Sequence, residues 1–295
     1  MIVDAHCDTL EKWSEGNFDT DFNPKDIKED YIQVLAAYIG DGPNYYEYTG
    51  KLINCFNNLP DTYKKCLFAD DFCNLDGKIG AILSIEGGEA LKGEIGNIRY
   101  FFDKGIRIFG LTWNYENEIA SGAHEKDDKG LTPFGKEVIR ECEDLGVTVD
   151  LSHTGEKSFY EAVYNSRRPV ILSHSNSKAV MNHERNVTDK QFLALVNNGG
   201  VLGINFYPKF LSEKSSGIDD IIKHIDHFLS LGGENNIGFG TDFDGIPEKP
   251  IGVHGTKSLY DIVDRLYSLY KPEVVKKIAS CNFLRVFSGN FPQKD

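Results

Sequence analysis

Val147-Thr148-Val149-Asp150-Leu151-Ser152-His153 and Pro169-Val170-Ile171-Leu172-Ser173-His174 decide the reading of this chain. Each is a short apolar run, rich in β-branched residues, that closes on Leu-Ser-His. The two histidines are 21 positions apart, room for one helix and a loop. Residues 157–165 between them have helical period, so the segment reads as strand–helix–strand. Both imidazoles then stand at the same height on neighbouring parallel strands.

The pattern extends in both directions. Apolar runs at 2–6, 32–38, 79–86, 106–112, 147–153, 169–174, 200–206 and 237–242 alternate with helical stretches at 97–104, 133–145, 157–165, 188–197 and 217–231. Two further helical stretches within 258–287 divide near Pro272. The runs are apolar nearly throughout, as expected of parallel strands buried on both faces. Thr132-Pro133 and Thr188-Asp189 read as helix starts, and Gly146 and Gly232-Gly233 as helix stops. Eight strands alternating with helices predict an α/β fold, a (β/α)8 TIM barrel. A doubly wound open sheet is the rival, weakened because no GxGxxG follows the first strand. No Pro/Gly/Ser linker divides residues 1–295, which are expected to form a single domain. Residues 41–76 read as irregular and polar, including a long βα loop.

Composition narrows the partners. The net charge of −13 repels phosphate backbones, so no nucleic acid is expected. No apolar run reaches the ~18 residues of a membrane span, and no signal peptide opens the sequence, so a cytoplasmic protein with no membrane partner is expected. The six cysteines (Cys7, Cys55, Cys66, Cys73, Cys142, Cys281) are scattered with no CxxC pair. They are expected to be reduced, not a disulfide framework or a thiolate zinc site.

The strand ends collect the chemistry. His6 and Asp8, two apart, project to one side of an extended chain and would enter the barrel lumen. Taken alone, an HxD pair is equally a hydrogen-bonded surface turn. Glu86 closes an apolar run before Gly87-Gly88. There a carboxylate is costly to bury unless paired or metal-bound, although a helix-capping acid would look the same. His153, His174 and Asp242 occupy the corresponding slot on their own strands, Asp242 with a turn as its plainer reading. His124, His183, His224, His227 and His254 lie in helices or loops and are expected not to be ligands. Three imidazoles with three carboxylates suit zinc better than magnesium or calcium. A carboxylate shared by two ions would hold them ~3.5–4 Å apart, with a bridging hydroxide as nucleophile. No GxSxG or catalytic-cysteine signature competes.

At these residues the sequence resembles the membrane (renal) dipeptidase family of zinc peptidases, metallo-dependent hydrolases of the amidohydrolase type. The resemblance runs from Asp4-Ala5-His6-Cys7-Asp8 to Asn282-Phe283-Leu284-Arg285. Between them lie Ser84-Ile85-Glu86-Gly87, Leu131-Thr132-Pro133-Phe134-Gly135, Arg185-Asn186-Val187, Asn205-Phe206-Tyr207 and Gly240-Thr241-Asp242-Phe243-Asp244-Gly245. It implies two Zn2+ per chain, with His6 and Asp8 on one, His153 and His174 on the other, and Glu86 bridging. It implies Asp242 as the catalytic proton carrier, Arg185 as the clamp for the substrate's C-terminal carboxylate, and Tyr207 as a nearby contact. Without it, Arg185 would read as a surface ion pair with Glu184 or Asp189. Trp113 stands where the mammalian members have a histidine on the tetrahedral centre, which leaves Asn114 or a metal ion to stabilise the oxyanion. The implied reaction is hydrolysis of free dipeptides, with a D-residue at the C-terminal side left open, and the implied assembly is a homodimer. An amidase or lactonase is the second reading. A non-catalytic metal-binding barrel is the third, disfavoured by the complete ligand set.

Overall fold

The strands form where the apolar runs stand, and they are shorter than the runs. In the computed structural model, which describes residues 1–39 and 44–294, nine parallel strands appear: β1 (Ile2–Cys7), β2 (Tyr31–Tyr38), β3 (Tyr63–Lys65), β4 (Ile79–Glu86), β5 (Ile106–Gly110), β6 (Thr148–Asp150), β7 (Ile171–Ser175), β8 (Val201–Ile204) and β9 (Ile237–Phe239). Their order is β2-β1-β9-β8-β7-β6-β5-β4-β3, and β2 also pairs with β4. That pairing, from Ile32↔Gly80 to Tyr38↔Glu86, closes eight strands into a (β/α)8 barrel and leaves β3 outside the ring. β3 pairs with the start of β4 (Tyr63↔Ile79 to Lys65↔Ala81), and β5 with its end (Leu83↔Ile106 to Glu86↔Gly110).

The helices follow their sequence signals. α4 (Pro133–Leu145) starts with Pro133 in its first turn, Thr132 Oγ1 accepting from Gly135 N–H at 2.9 Å, and stops at Gly146 with φ +78°. α6 (Asp189–Asn198) carries a capping box in which Thr188 N–H donates to Gln191 Oε1 at 2.9 Å and Gln191 N–H to Thr188 Oγ1 at 3.2 Å. The C-terminal segment divides at Pro272 into α9 (Thr256–Leu269) and α10 (Pro272–Lys276), then passes through one π-turn, Lys277–Cys281, into α11 (Asn282–Asn290).

Residues 41–76 depart from expectation. Positions 41–43 lie outside the described residues, but the rest holds α2 (Tyr45–Asn57), β3 and a 3-10 turn, Ala69–Cys73. α2 buries Thr49, Leu52, Ile53 and Phe56, an i, i+3, i+4, i+7 stripe. Gly50, Thr49 and the aromatic residues of that stretch have low helix propensity, and packing against β2 overrides it. α1 (Thr9–Ser14), also unanticipated, starts directly after Asp8.

Close approach of strands fixes the floor of the site. A Cβ on Gly240 would lie 1.7 Å from Ser173 O, and one on Gly203 2.1 Å from the same oxygen. Only glycine lets β8 and β9 pass this near the backbone that carries His174. Asp4, fully buried in β1, accepts from Thr241 N–H at 2.9 Å and Thr241 Oγ1 at 2.7 Å and so ties β1 to the residue before Asp242. Among the described residues all six cysteines are free, and no helix is long and apolar enough to cross a membrane.

Candidate active site

At the C-terminal ends of the strands the expected side chains converge. His6 is the last residue but one of β1, Asp8 sits at the N-cap of α1, and Glu86 is the last residue of β4. His153 lies three residues beyond β6, His174 lies within β7, and Asp242 lies three residues beyond β9. Glu86 is central. Its Oε1 lies 2.9 Å from His153 Nε2 and 3.6 Å from His174 Nε2, and its Oε2 3.4 Å from His6 Nε2. His6 Nε2 is also 3.4 Å from Asp8 Oδ2 and 3.9 Å from Asp242 Oδ1. The ligand atoms of His6–Asp8–Glu86, of Glu86–His153–His174 and of His6–His174–Asp242 each lie within 4.8 Å of one another.

The supporting contacts leave the Nε2 atoms for a cation. Asn114 Oδ1 accepts from His153 Nδ1 at 2.8 Å, and Ser173 Oγ lies 2.8 Å from His174 Nδ1. The two Nε2 atoms then point to one place, 2.8 Å apart. His6 Nε2 and Asp8 Oδ1 are buried without a hydrogen-bond partner. Imidazole nitrogens and carboxylate oxygens in this arrangement fit borderline divalent cations such as zinc.

Electrostatics agree with that fit. Burial alone would raise Glu86, but His6 and His153 overcome it and hold its carboxyl well below the usual range. His6 goes the opposite way: burial disfavours its charge, yet Glu86 and Asp8 raise it well above normal. Burial lowers His153 to about 3, and burial with the neighbouring His6 and His153 lowers His174. Asp8 is pushed up to about 6, by burial and then by Glu86. Asp242 is pushed up to about 7, by burial, with Asp8 and Glu86 adding and His6 opposing. Three carboxyl groups this close cannot all ionise cheaply without positive charge among them.

Residues to which the sequence reading assigns no role hold the ligands. Asp150 Oδ1 accepts from Ser152 N–H at 3.0 Å and from Ser173 N–H at 2.9 Å, the residues just before His153 and His174. Ser152 Oγ accepts from His174 N–H at 3.1 Å. Asn205 Nδ2 donates to Asp242 Oδ2 at 2.9 Å. The signals were present: Asp150 is a carboxylate inside an apolar run, and Asn205 falls within a quoted motif.

The cluster opens into a cavity of about 500 Å3 lined by Glu86, His153, Arg185, Tyr207, Trp113 and Asn114, among others. Trp113 packs edge-on to Tyr38, ring centroids 5.2 Å apart, and lies 6.2 Å from His153. Arg185 is only 6% exposed. The ion pair suggested by its neighbours in sequence is not formed: Glu184 faces His124 at 3.2 Å and Asp189 faces His227 at 2.7 Å. The guanidinium instead lies over the Phe210 ring, 5.7 Å from its centroid. The remaining histidines stay out of the cluster. His224, for example, accepts from Ser177 N–H through Nδ1 at 3.0 Å and donates through Nε2 to Leu211 O at 3.1 Å.

A family profile described as membrane dipeptidase, peptidase family M19, matches residues 1–291. An uncharacterised dipeptidase of Schizosaccharomyces pombe is 32% identical over 90% of this chain, and a second from the same organism is 36% identical over 65%. The chain spans 66% and 48% of the lengths of these two relatives. A metallopeptidase of Rhodobacter sphaeroides, solved with a phosphinate mimic of the dipeptide L-Ala-D-Ala, superposes with a TM-score of 0.89 at 22% identity, covering 98% of this chain and 99% of that one. The chain belongs to the membrane dipeptidase family, peptidase family M19.

Proposed function

We propose that this protein is a binuclear-zinc dipeptidase that hydrolyses the peptide bond of free dipeptides and accepts a D-residue at the C-terminal side. One observation carries the reading: the two oxygens of Glu86 face different donor sets, Oε1 toward His153 and His174 and Oε2 toward His6. Glu86 would bridge two ions, with His6 and Asp8 holding one and His153 and His174 the other. When bound, such a pair polarises a carbonyl oxygen and lowers the pKa of water to about 7, so that hydroxide is available at neutral pH.

The chain's own groups do the rest. Arg185, buried and, among the described residues, without a carboxylate within 4.0 Å, binds the C-terminal carboxylate of the dipeptide through its guanidinium fork. That contact sets the scissile carbonyl over the cluster. Asp242, oriented by Asn205, takes the proton from the attacking water and returns it to the leaving amine. Tyr207 and Trp113 form walls of the cavity, and Asn114 keeps the His153 ring in the tautomer that presents Nε2. The tolerance of a D-residue draws on the L-Ala-D-Ala mimic held by the Rhodobacter relative.

The test is Arg185→Ala assayed on alanyl-alanine and on alanyl-alanine amide, which lacks the terminal carboxylate. The expected outcome is a loss of about 100-fold or more in kcat/KM for the free dipeptide, the cost of one buried charge pair, and little change for the amide. Equal losses on both would remove Arg185 from carboxylate binding.

A further inference from the structure

Glu11 faces the same cavity but takes no part in the cation cluster. It lies on α1 three residues beyond Asp8, its N–H bonded to Asp8 O at 3.1 Å. Side chains three apart on a helix stand about 5–6 Å from each other, so Glu11 is the next carboxylate out from the cluster on that side. Lys12, its neighbour, is committed to Asp244 at 2.8 Å. Among the described residues no cationic nitrogen lies within 4.0 Å of the Glu11 carboxylate. The hydroxyl of Tyr48, on α2, donates to Glu11 Oε1. A phenol fixes the carboxylate without cancelling its charge, so a held, uncompensated anion lines the cavity.

Arg185 and Glu11 flank opposite ends of the cluster. Glu11 follows β1, on the side of the cluster where Glu86 Oε2 faces His6. Arg185 follows β7, its carbonyl accepting from Ser175 Oγ at 3.1 Å, on the side where Glu86 Oε1 faces His153 and His174. β9 and β8 stand between β1 and β7 in the ring. A dipeptide with its carboxylate on Arg185 and its carbonyl over the cluster therefore sends its N-terminal residue toward Asp8 and Glu11. Its α-ammonium, two bonds from the carbonyl, stays beside the cluster's own carboxylates. A lysine or arginine side chain reaches roughly another 5–6 Å along its aliphatic stem, about the step from Asp8 to Glu11.

From this arrangement we propose that Glu11, held by Tyr48, selects dipeptides with a cationic side chain on the N-terminal residue. The proposal rests on the dipeptidase reading above. Tyr48 is a positioning residue in it, and Glu11 contacts the substrate.

The experiment compares kcat/KM for lysyl-alanine and norleucyl-alanine, a neutral side chain of similar length, in the zinc-loaded protein and in Glu11→Gln, Glu11→Lys and Tyr48→Phe. The wild type is expected to prefer the lysyl substrate about tenfold, the size of one charge-assisted hydrogen bond. Glu11→Gln should bring the ratio to about one with zinc content unchanged, and Tyr48→Phe should reduce it. Glu11→Lys should turn the preference toward glutamyl-alanine. An unchanged ratio in Glu11→Gln, or parallel loss on both substrates, overturns the selection role while leaving the dipeptidase reading intact. No turnover of any dipeptide by the wild type overturns that reading, and this proposal with it.

Discussion

His153 and Asp242 both have left-handed backbones, φ +67° and +64°, as does Asp244 at +68°. For residues with a Cβ this costs roughly 1–3 kcal/mol each and persists only where surrounding contacts over-determine it. Those contacts are visible: Asp150 and the two serines fix the approach to His153, and Asp4 through Thr241 fixes the approach to Asp242. These backbones aim His153 at Glu86 and Asp242 at His6. Replacing Asp242 with Asn keeps the shape and the Asn205 contact but removes the proton acceptor. The expected result is metal content equal to wild type and kcat lower by about 10²–10⁴, the range for loss of a general acid–base group. Metal analysis beside steady-state kinetics checks it, and full activity in the variant would take Asp242 out of the mechanism. At this scale much was legible in the sequence, because the repeated Leu-Ser-His endings and the HxD pair advertise one shared position. For Asp150 the sequence signals a buried carboxylate inside an apolar run but not its partners, since the bond from Ser173 N–H on the neighbouring strand depends on register.

Strands and helices were legible where period and caps agreed, as at Thr132-Pro133 and Thr188 with Gln191. The runs overshot the strands because buried apolar residues continue past the last ladder bond. Val147–His153 reads as one strand, yet β6 ends at Asp150 and the backbone turns to place His153. α2 was missed because intrinsic propensity misled where the apolar stripe alone would have served. One helix carries a pH dependence. His224, on α8 (Ile218–Ser230), is held neutral by burial, which lowers it to about 4 from the ordinary 6.5 against the opposing bond to Leu211 O, while its Nδ1 accepts from Ser177 N–H. Between those values the unfolded chain binds a proton that the folded chain refuses. Stability therefore falls as pH drops from 6.5 to about 4 and levels off below, by about 3 kcal/mol at most. Denaturant unfolding at pH 7 and pH 5 should show a shallower loss in His224→Gln than in wild type. Equal losses would mean that His224 does not contribute.

Over the whole molecule, closure of the ring through β2 and β4 gives the six site residues a common rim. In a flat sheet with this order Glu86 would stand apart from His174, since β5 and β6 lie between β4 and β7. Alternation of eight runs with helices made the barrel legible, while β3 stayed hidden because three residues carry no period. The central claim is that these side chains form a two-ion centre joined by Glu86. The measurement that tests it most directly is the zinc content per chain of the protein and of Glu86→Gln, after zinc loading and removal of free metal. The account predicts two zinc ions in the wild type and one or fewer in Glu86→Gln. One ion or none in the wild type, or two retained without the Glu86 carboxylate, would contradict it.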